Sequence, residues 1–180
     1  MRPKTALIIG TFCLALSACD TAQDSEETAE ATAHAGLTEL PVSINAAMVG
    51  LIDNSADYLW AVGNGDMPRD EADWDLVRSA TYDMILGGQI IQVPGTGEMD
   101  AIWTGDAGWQ EMSDNLTAIG QDALPLAESQ STDVEAWRAI GDRLVENCEG
   151  CHQAFKPEIP SGGILHRSTE RESRDVSIFD

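Results

Sequence analysis

Apolar residues recur at intervals of three and four along most of the chain between residues 42 and 155, and this is the period of an amphipathic α-helix. In the first such stretch, Ile44, Met48 and Ile52 fall on one stripe. The pattern predicts four helices, which cover residues 42–62, residues 70 to about 88, residues 106–127 and residues 134–155.

Glycine, proline and capping residues mark where these helices begin and end. Asn64-Gly65 ends the first helix, and Gly87-Gly88 weakens the end of the second. Pro125 should kink or end the third helix, because a proline ring removes a backbone hydrogen bond. Residues 131–133 (Ser-Thr-Asp) offer N-caps for the fourth helix, and Pro157 stops it.

The segment between the second and third helices has no helical period. Residues 89–93 (QIIQV) are interpreted as a helix end or a packed loop, because no partner strand is visible. Residues 94–106 are predicted to be a loop from their proline and glycine content. Four amphipathic helices with mostly short connections predict an all-α domain over residues 37–158, folded as an antiparallel up-down-up-down four-helix bundle.

The first 18 residues have the features of an export signal. A basic start is followed by an apolar run over residues 5–18, which is too short to span a membrane as a mature helix. The run ends in Leu16-Ser17-Ala18-Cys19, which resembles the bacterial lipoprotein processing box. That resemblance implies cleavage before Cys19, a diacylglycerol on its thiol, and a periplasmic protein anchored by lipid to a bacterial membrane. The alternative is ordinary cleavage at a small-residue site, which would leave Cys19 as a free thiol.

Acidic residues dominate the rest of the chain. Residues 19–36 are acidic and lack large apolar side chains, so they predict a flexible tether, and residues 159–180 predict a polar, loosely attached tail. Loss of Arg2 and Lys4 with the signal leaves 8 basic against 31 acidic residues, a net charge of −23. This charge argues against nucleic acid and against a polybasic membrane patch, and it favours basic partner proteins.

Two cysteines remain for the folded domain. Of the four in the chain, Cys13 leaves with the signal and Cys19 would carry lipid, so there are too few thiols for a disulfide framework or a four-cysteine zinc site. The other two stand in the run Cys148-Glu149-Gly150-Cys151-His152, where helical geometry places both thiols and the imidazole within one broad face. Cys-x-x-Cys-His is the pattern of covalent c-type haem attachment.

Other interpretations of this motif meet specific difficulties. A thioredoxin-like redox pair belongs at a helix N-terminus after a strand, whereas this pair ends a helix. A zinc site needs further ligands, and only His34 and His166 are spare. A plain core histidine does not explain the cysteines. A haem-free lipoprotein with a Cys148–Cys151 disulfide stays open as a rival.

Residues 148–156 (CEGCHQAFK) resemble the C-terminal signature of the cytochrome c′ family, the class II cytochromes c, in which the haem motif is followed by two residues, an aromatic and a base. The resemblance covers residues 37–158 and implies one covalent haem c near the C-terminal end of the fourth helix. It implies haem thioethers at Cys148 and Cys151, the proximal iron bond at His152, and a cation near that imidazole at Lys156. Lys156 could equally be a solvated charge at a helix end.

The resemblance also places Met48, early in the first helix, at the other side of the haem. A methionine ligand there implies a low-spin electron carrier. If Met48 is core filler instead, the iron is five-coordinate and binds nitric oxide or carbon monoxide. Ile44 and Asn45 stand where many relatives have an arginine near a haem propionate, so the propionate partner is not identified.

Electron transfer is therefore the predicted function, with redox partners of unknown identity and a homodimer, as in many relatives, left open. No catalytic constellation is found, so the chain is interpreted as an electron carrier and not as an enzyme.

Overall fold

A computed structural model describes residues 38–156 and 177–179 of the chain. These residues form helices, and none of them is assigned to a β-strand, which confirms the predicted all-α class. The helices are α1 (residues 44–63), α2 (Glu71–Ile90), α3 (Asp100–Thr104), α4 (Ala107–Glu128) and α5 (Val134–Phe155). Within the described part of the chain, no helix is both long enough and apolar enough to cross a lipid bilayer.

Helix α1 differs from the continuous α-helix that its apolar stripe predicts. It is α-helical over Ile44–Ala47, π-helical over Met48–Asp53 and α-helical again over Asn54–Gly63. A π-helical turn holds one more residue than an α-helical turn, and such turns are frequent at functional sites. Glycine weakens the α conformation, and Gly50 lies inside the π segment.

The predicted helix starts are largely confirmed by their caps. The Asp70 carboxylate accepts a hydrogen bond from Asp73 N at 3.1 Å and begins α2. Among the three candidate caps before α5, Asp133 is the N-cap and accepts from Ala136 N at 3.1 Å. Pro125 lies within the last turn of α4, which ends at Glu128.

Two boundary predictions need correction. Helix α2 does not end at Gly87-Gly88 but continues to Ile90, because Ile52 of α1 packs against Gly87 and α4 packs against Gly88. A Cβ atom on Gly88 would stand 2.8 Å from Thr117 N, so only glycine permits this approach. Residues 94–106 are not all loop, since α3 forms inside them.

Helix α3 is held in place by one buried carboxylate. Asp100 is 2% exposed, and its Oδ2 accepts hydrogen bonds from Ile44 N and Gly97 N, both at 2.9 Å. The same atom therefore ties α3 to the first turn of α1. Since the two residues are 56 positions apart, the helical period of the sequence could not show this contact.

The long helices pack side by side, with α1 against α2 and α5, and α4 against α2 and α5. Near the end of α1, Trp60 Nε1 donates to Gly141 O near the start of α5 at 3.3 Å. At the opposite end, Lys156 Nζ after α5 donates to Asn45 Oδ1 in the first turn of α1 at 2.5 Å. The start of α1 and the end of α5 therefore lie at the same level.

The expectation of a loosely attached tail is wrong for residues 177–179. Phe179 is 9% exposed and packs on Tyr58 with a distance of 5.9 Å between ring centroids. An aromatic and an isoleucine at the end of a polar segment can each bury apolar area, which the overall polarity of the tail conceals. The predicted signal (residues 1–18), the tether (residues 19–36) and residues 157–176 lie outside the described residues.

Candidate functional site

Met48, Cys148, Cys151, His152 and Lys156, five of the residues singled out from the sequence, line one cavity of about 460 Å³. This volume falls within the roughly 300–1,000 Å³ of pockets that hold small ligands and cofactors. The sixth predicted residue, Cys19, lies outside the described residues. The cavity is lined mainly by α1 and α5, with side chains of α3 and α4 completing it.

The two cysteines lie in the last two turns of α5, and neither is in a disulfide. Cys151 is 7% exposed, and Cys148 is partly buried against the core. Asn147 Nδ2 donates to Met112 O of α4 at 3.1 Å, which fixes this end of α5 against its neighbour. Both thiols therefore have defined positions in the cavity wall.

Burial keeps both thiols protonated. Loss of hydration raises the pKa of Cys148 to about 12, with smaller contributions from Cys151 and two nearby carboxylates. Burial alone raises the pKa of Cys151 to about 11. A thioredoxin-like pair works through a thiolate with a lowered pKa, so this environment does not support that interpretation.

His152 is held neutral and has unused bonding capacity. Its pKa is lowered, first by burial and then by the positive charge of Lys156, whereas the charge of Asp53 acts in the opposite direction. The Nδ1 atom is buried and has no hydrogen-bond partner among the described residues. A buried polar atom without a partner requires an explanation, and a neutral imidazole is a common metal ligand.

A clustered metal site of the zinc type is not seen in the described part of the chain. There, no three or more histidine, cysteine, aspartate or glutamate side chains come close enough together to hold a metal ion. The spare histidines considered for such a site, His34 and His166, lie outside the residues that the structure describes.

Three aromatic side chains form part of the cavity wall, and two of them, Trp103 and Trp109, were not assigned to a site from the sequence. The rings of Trp103 and Trp109 stack with 5.2 Å between centroids and 10° between planes, and Phe155 meets Trp109 edge-on at 5.1 Å. Trp109 Nε1 donates to Ile91 O at 2.8 Å, so its ring has a fixed orientation. In the sequence, Trp109 was part of a helical apolar stripe, Phe155 was also the aromatic of the cytochrome c′ signature, and Trp103 lay in a predicted loop.

Lys156 bridges three elements at the edge of the cavity. Its ammonium group bonds Asn45 of α1 and stands 5.7 Å from the centroid of the Trp103 ring of α3, within the range of a cation–π interaction. Lys156 is half-buried, and its Nζ is close enough to His152 to lower the imidazole pKa. These contacts hold the side chain toward the cavity.

Met48 is half-buried at the first position of the π segment, where it packs against the core and lines the cavity. The arrangement thus combines two thiols, an imidazole, a thioether and a wall of planar rings. Such a set could hold a flat, metal-bearing cofactor.

Resemblance to known proteins was tested in three ways. Comparisons with protein-family models, with curated proteins and with solved structures found no match. Any functional conclusion therefore depends on the residues of the cavity and on the motif that lines it.

Proposed function

We propose that the protein is a periplasmic, lipid-anchored c-type cytochrome of the cytochrome c′ kind, which carries electrons through one covalently bound haem. The observation that carries this proposal is the convergence of Met48, Cys148, Cys151 and His152 on a single cavity. Met48 and Cys148 stand 100 positions apart, so their meeting depends on the packing of α1 against α5.

We also propose that the long helices form an antiparallel up-down-up-down four-helix bundle. The pairwise packing of α1, α2, α4 and α5 supports this arrangement, as do the opposed contacts at the two ends of α1 and α5. Antiparallel neighbours bring the start of one helix level with the end of the next. The haem would then lie where the first turns of α1 face the last turns of α5.

The residues of the cavity fit a haem. Cys148 and Cys151 would form the thioethers, and His152 would supply the proximal bond, which would account for the unpartnered imidazole nitrogen. The bound haem would supply reversible one-electron chemistry at its iron. Lys156 would keep the imidazole neutral, and the stacked tryptophans would exclude water from one side of the ring system.

The presence of Met48 in the cavity favours an electron carrier over a gas-binding protein, because thioether sulfur binds haem iron well and raises its potential. In a carrier, no residue needs to bind or activate a substrate. The net negative charge supports basic redox partners.

Haem staining after denaturing electrophoresis tests the proposed function. Protein produced together with haem-attachment machinery should give a stained band that survives denaturation, because thioether bonds are covalent. Replacing both Cys148 and Cys151 with serine should abolish the stain, whereas Glu149→Gln, inside the motif, should retain it. A colourless product from the unmodified chain would refute haem attachment.

The lipid anchor is tested separately, since it depends on Cys19 and not on the cavity. Cys19→Ala should move the protein from the membrane fraction to the soluble periplasmic fraction while leaving haem staining intact. Membrane association that does not change in this variant would contradict the anchor.

A further inference from the structure

Residues 177–179 occupy a notch on the surface, which is formed by Tyr58, Asp66 and Arg69. Ser177 Oγ donates to Asp66 Oδ1 at 2.8 Å, and Ile178 N donates to Asp66 Oδ2 at 2.7 Å. Both carboxylate oxygens of Asp66 therefore bind the segment. None of the three notch residues lines the haem cavity.

Two further polar groups of the segment are also bonded. Phe179 N donates to Ser177 Oγ at 3.1 Å, which gives the segment a compact turn. Arg69 Nη2 donates to Phe179 O. A hydroxyl, two backbone N–H groups and a carbonyl are thus all satisfied, and this is the degree of pairing that a specific binding site requires.

Apolar contacts complete the recognition. The Phe179 ring packs on Tyr58 and is nearly excluded from solvent, and Ile178 packs against the hydrophobic core. A partly buried carboxylate, a guanidinium and an aromatic wall together select a hydroxyl residue followed two positions later by an aromatic residue.

The side chains of the notch are positioned by hydrogen bonds that do not involve residues 177–179. Arg69 is oriented by Asp73, whose Oδ2 accepts from Arg69 N at 2.9 Å and from Arg69 Nε at 3.1 Å. Asp66 N donates to Ala61 O at 2.9 Å, which fixes the turn after α1. A site that is organised before its ligand arrives loses less free energy in ordering when the ligand binds.

The segment reaches the notch through residues 157–176, which follow Lys156 at the cavity end of α5. Asn45, which contacts Lys156, and Tyr58 belong to the same helix, and at 1.5 Å per residue they are about 20 Å apart along it. Twenty linking residues can span at most about 70 Å, which exceeds this distance. A covalently attached ligand of this kind has an effective concentration on the order of millimolar.

We propose that Tyr58, Asp66 and Arg69 form a peptide-docking site for sequences of the type Ser-x-Phe, and that its resident ligand, Ser177-Ile178-Phe179, is an exchangeable latch. The latch contacts Tyr58 near the end of α1 and Asp66 just after it. Because the occupant is bound through side chains of a preformed notch, an equivalent peptide in solution can take its place when the latch is weakened. The proposal does not depend on haem.

Binding of a fluorescent peptide with the sequence of residues 174–180 (RDVSIFD) tests the latch, with anisotropy as the readout. The full-length Phe179→Ala variant, whose notch is intact, should bind the peptide at least about tenfold more tightly than the unmodified protein, in which the latch competes. The same peptide with its phenylalanine replaced by alanine should bind at least about tenfold more weakly. Ser177→Ala provides a milder variant, with intermediate peptide affinity, if Phe179→Ala does not fold.

Two further variants locate the peptide. In the Phe179→Ala background, Asp66→Ala should weaken peptide binding about tenfold or more, because two hydrogen bonds to a charged acceptor are lost. Asp122→Ala, which removes an exposed carboxylate on α4, should leave the affinity unchanged. Circular dichroism establishes that each variant is folded. The proposal would be overturned if the peptide did not bind the Phe179→Ala and Ser177→Ala variants. It would also be overturned if Asp66→Ala did not change the peptide affinity.

Discussion

At the scale of single residues, the cavity combines groups whose chemistry is set by burial. Cys148 and Cys151 have raised pKa values because water is excluded from them, and His152 has a lowered pKa for the same reason. All three are therefore neutral near pH 7. Neutral thiols are poorly reactive toward oxidants, and a lowered pKa leaves the imidazole unprotonated near pH 7.

Slow alkylation of the thiols follows from these values. At pH 8, pKa values of about 12 and 11 leave about one Cys148 in ten thousand and about one Cys151 in a thousand as thiolate. We expect the reduced, haem-free protein to react with iodoacetamide roughly ten- to a hundredfold more slowly when folded than in denaturant, since the higher nucleophilicity of a less acidic thiol offsets part of the effect. Equal rates in the two states would contradict this environment.

Replacement of Met48 tests whether the iron of the proposed haem is six-coordinate. In the haem-loaded protein, Met48→Ala should abolish a sulfur–iron charge-transfer band at the red end of the ferric spectrum, lower the potential and open the site to carbon monoxide. Met99→Ala, at an exposed methionine outside the cavity, should change none of these properties. An unmodified protein that is already high-spin and binds carbon monoxide readily would favour the gas-binding alternative.

At the scale of elements, the cavity depends on two irregular features, the π segment of α1 and the short helix α3. The π segment adds a residue between Ile44, which is 1% exposed, and Ile52, which is 3% exposed, so both contribute to the core. Helix α3 carries Trp103 to the cavity and is anchored through Asp100. Each feature therefore places a side chain that a regular helix or an open loop would not.

Deletion of Gly50 tests the role of the π segment. Because the π turn holds one extra residue, its removal should restore a regular α-helix in which Ile44 and Ile52 are seven residues apart and still share the face toward the core. We therefore expect unfolding in urea to show a change of less than about 1.5 kcal/mol, the lower value for exposing a large aliphatic side chain, because both isoleucines stay buried.

Gly50→Ala is the matched control, because no atom lies within 4 Å of the position that its Cβ would take. It should leave the free energy of unfolding unchanged or raise it by up to about 1 kcal/mol. A deletion variant that loses about 3 kcal/mol or more would show that the residues on either side of the π segment did not keep their orientation toward the core.

At the scale of the whole molecule, charge repulsion is the dominant long-range force. The chain has 31 acidic and 10 basic residues, for a net charge of −21, before any loss of the signal. The ion pairs of Arg78, Arg138 and Arg143 are exposed on at least one side, and such pairs contribute little to stability. Repulsion among carboxylates therefore outweighs attraction.

Added salt should accordingly stabilise the fold. Raising NaCl from 10 to 150 mM shortens the Debye length from about 30 Å to about 8 Å and screens the repulsion. We expect the thermal midpoint to rise over this range, measured by circular dichroism, with sucrose of equal osmolality as the control for solute effects. A midpoint that falls with salt would mean that the ion pairs outweigh the repulsion.

Local order was determined by the sequence alone. The four long helices, the caps Asp70 and Asp133, and the shared face of Cys148, Cys151 and His152 all depend on residues within a few positions of one another. A 3.6-residue period and a capping side chain act over one or two turns, so both can be predicted from the amino-acid sequence.

Tertiary structure decided the features that join distant positions. A five-residue helix such as α3 is marginal by itself and forms here because Asp100 bonds the backbone of α1. Ile178 meets Asp66 across 112 positions, and Trp103 reaches Lys156 only after α3 and α5 have packed. These contacts arise from the burial of apolar area and the pairing of polar groups between elements, which no local pattern in the sequence encodes.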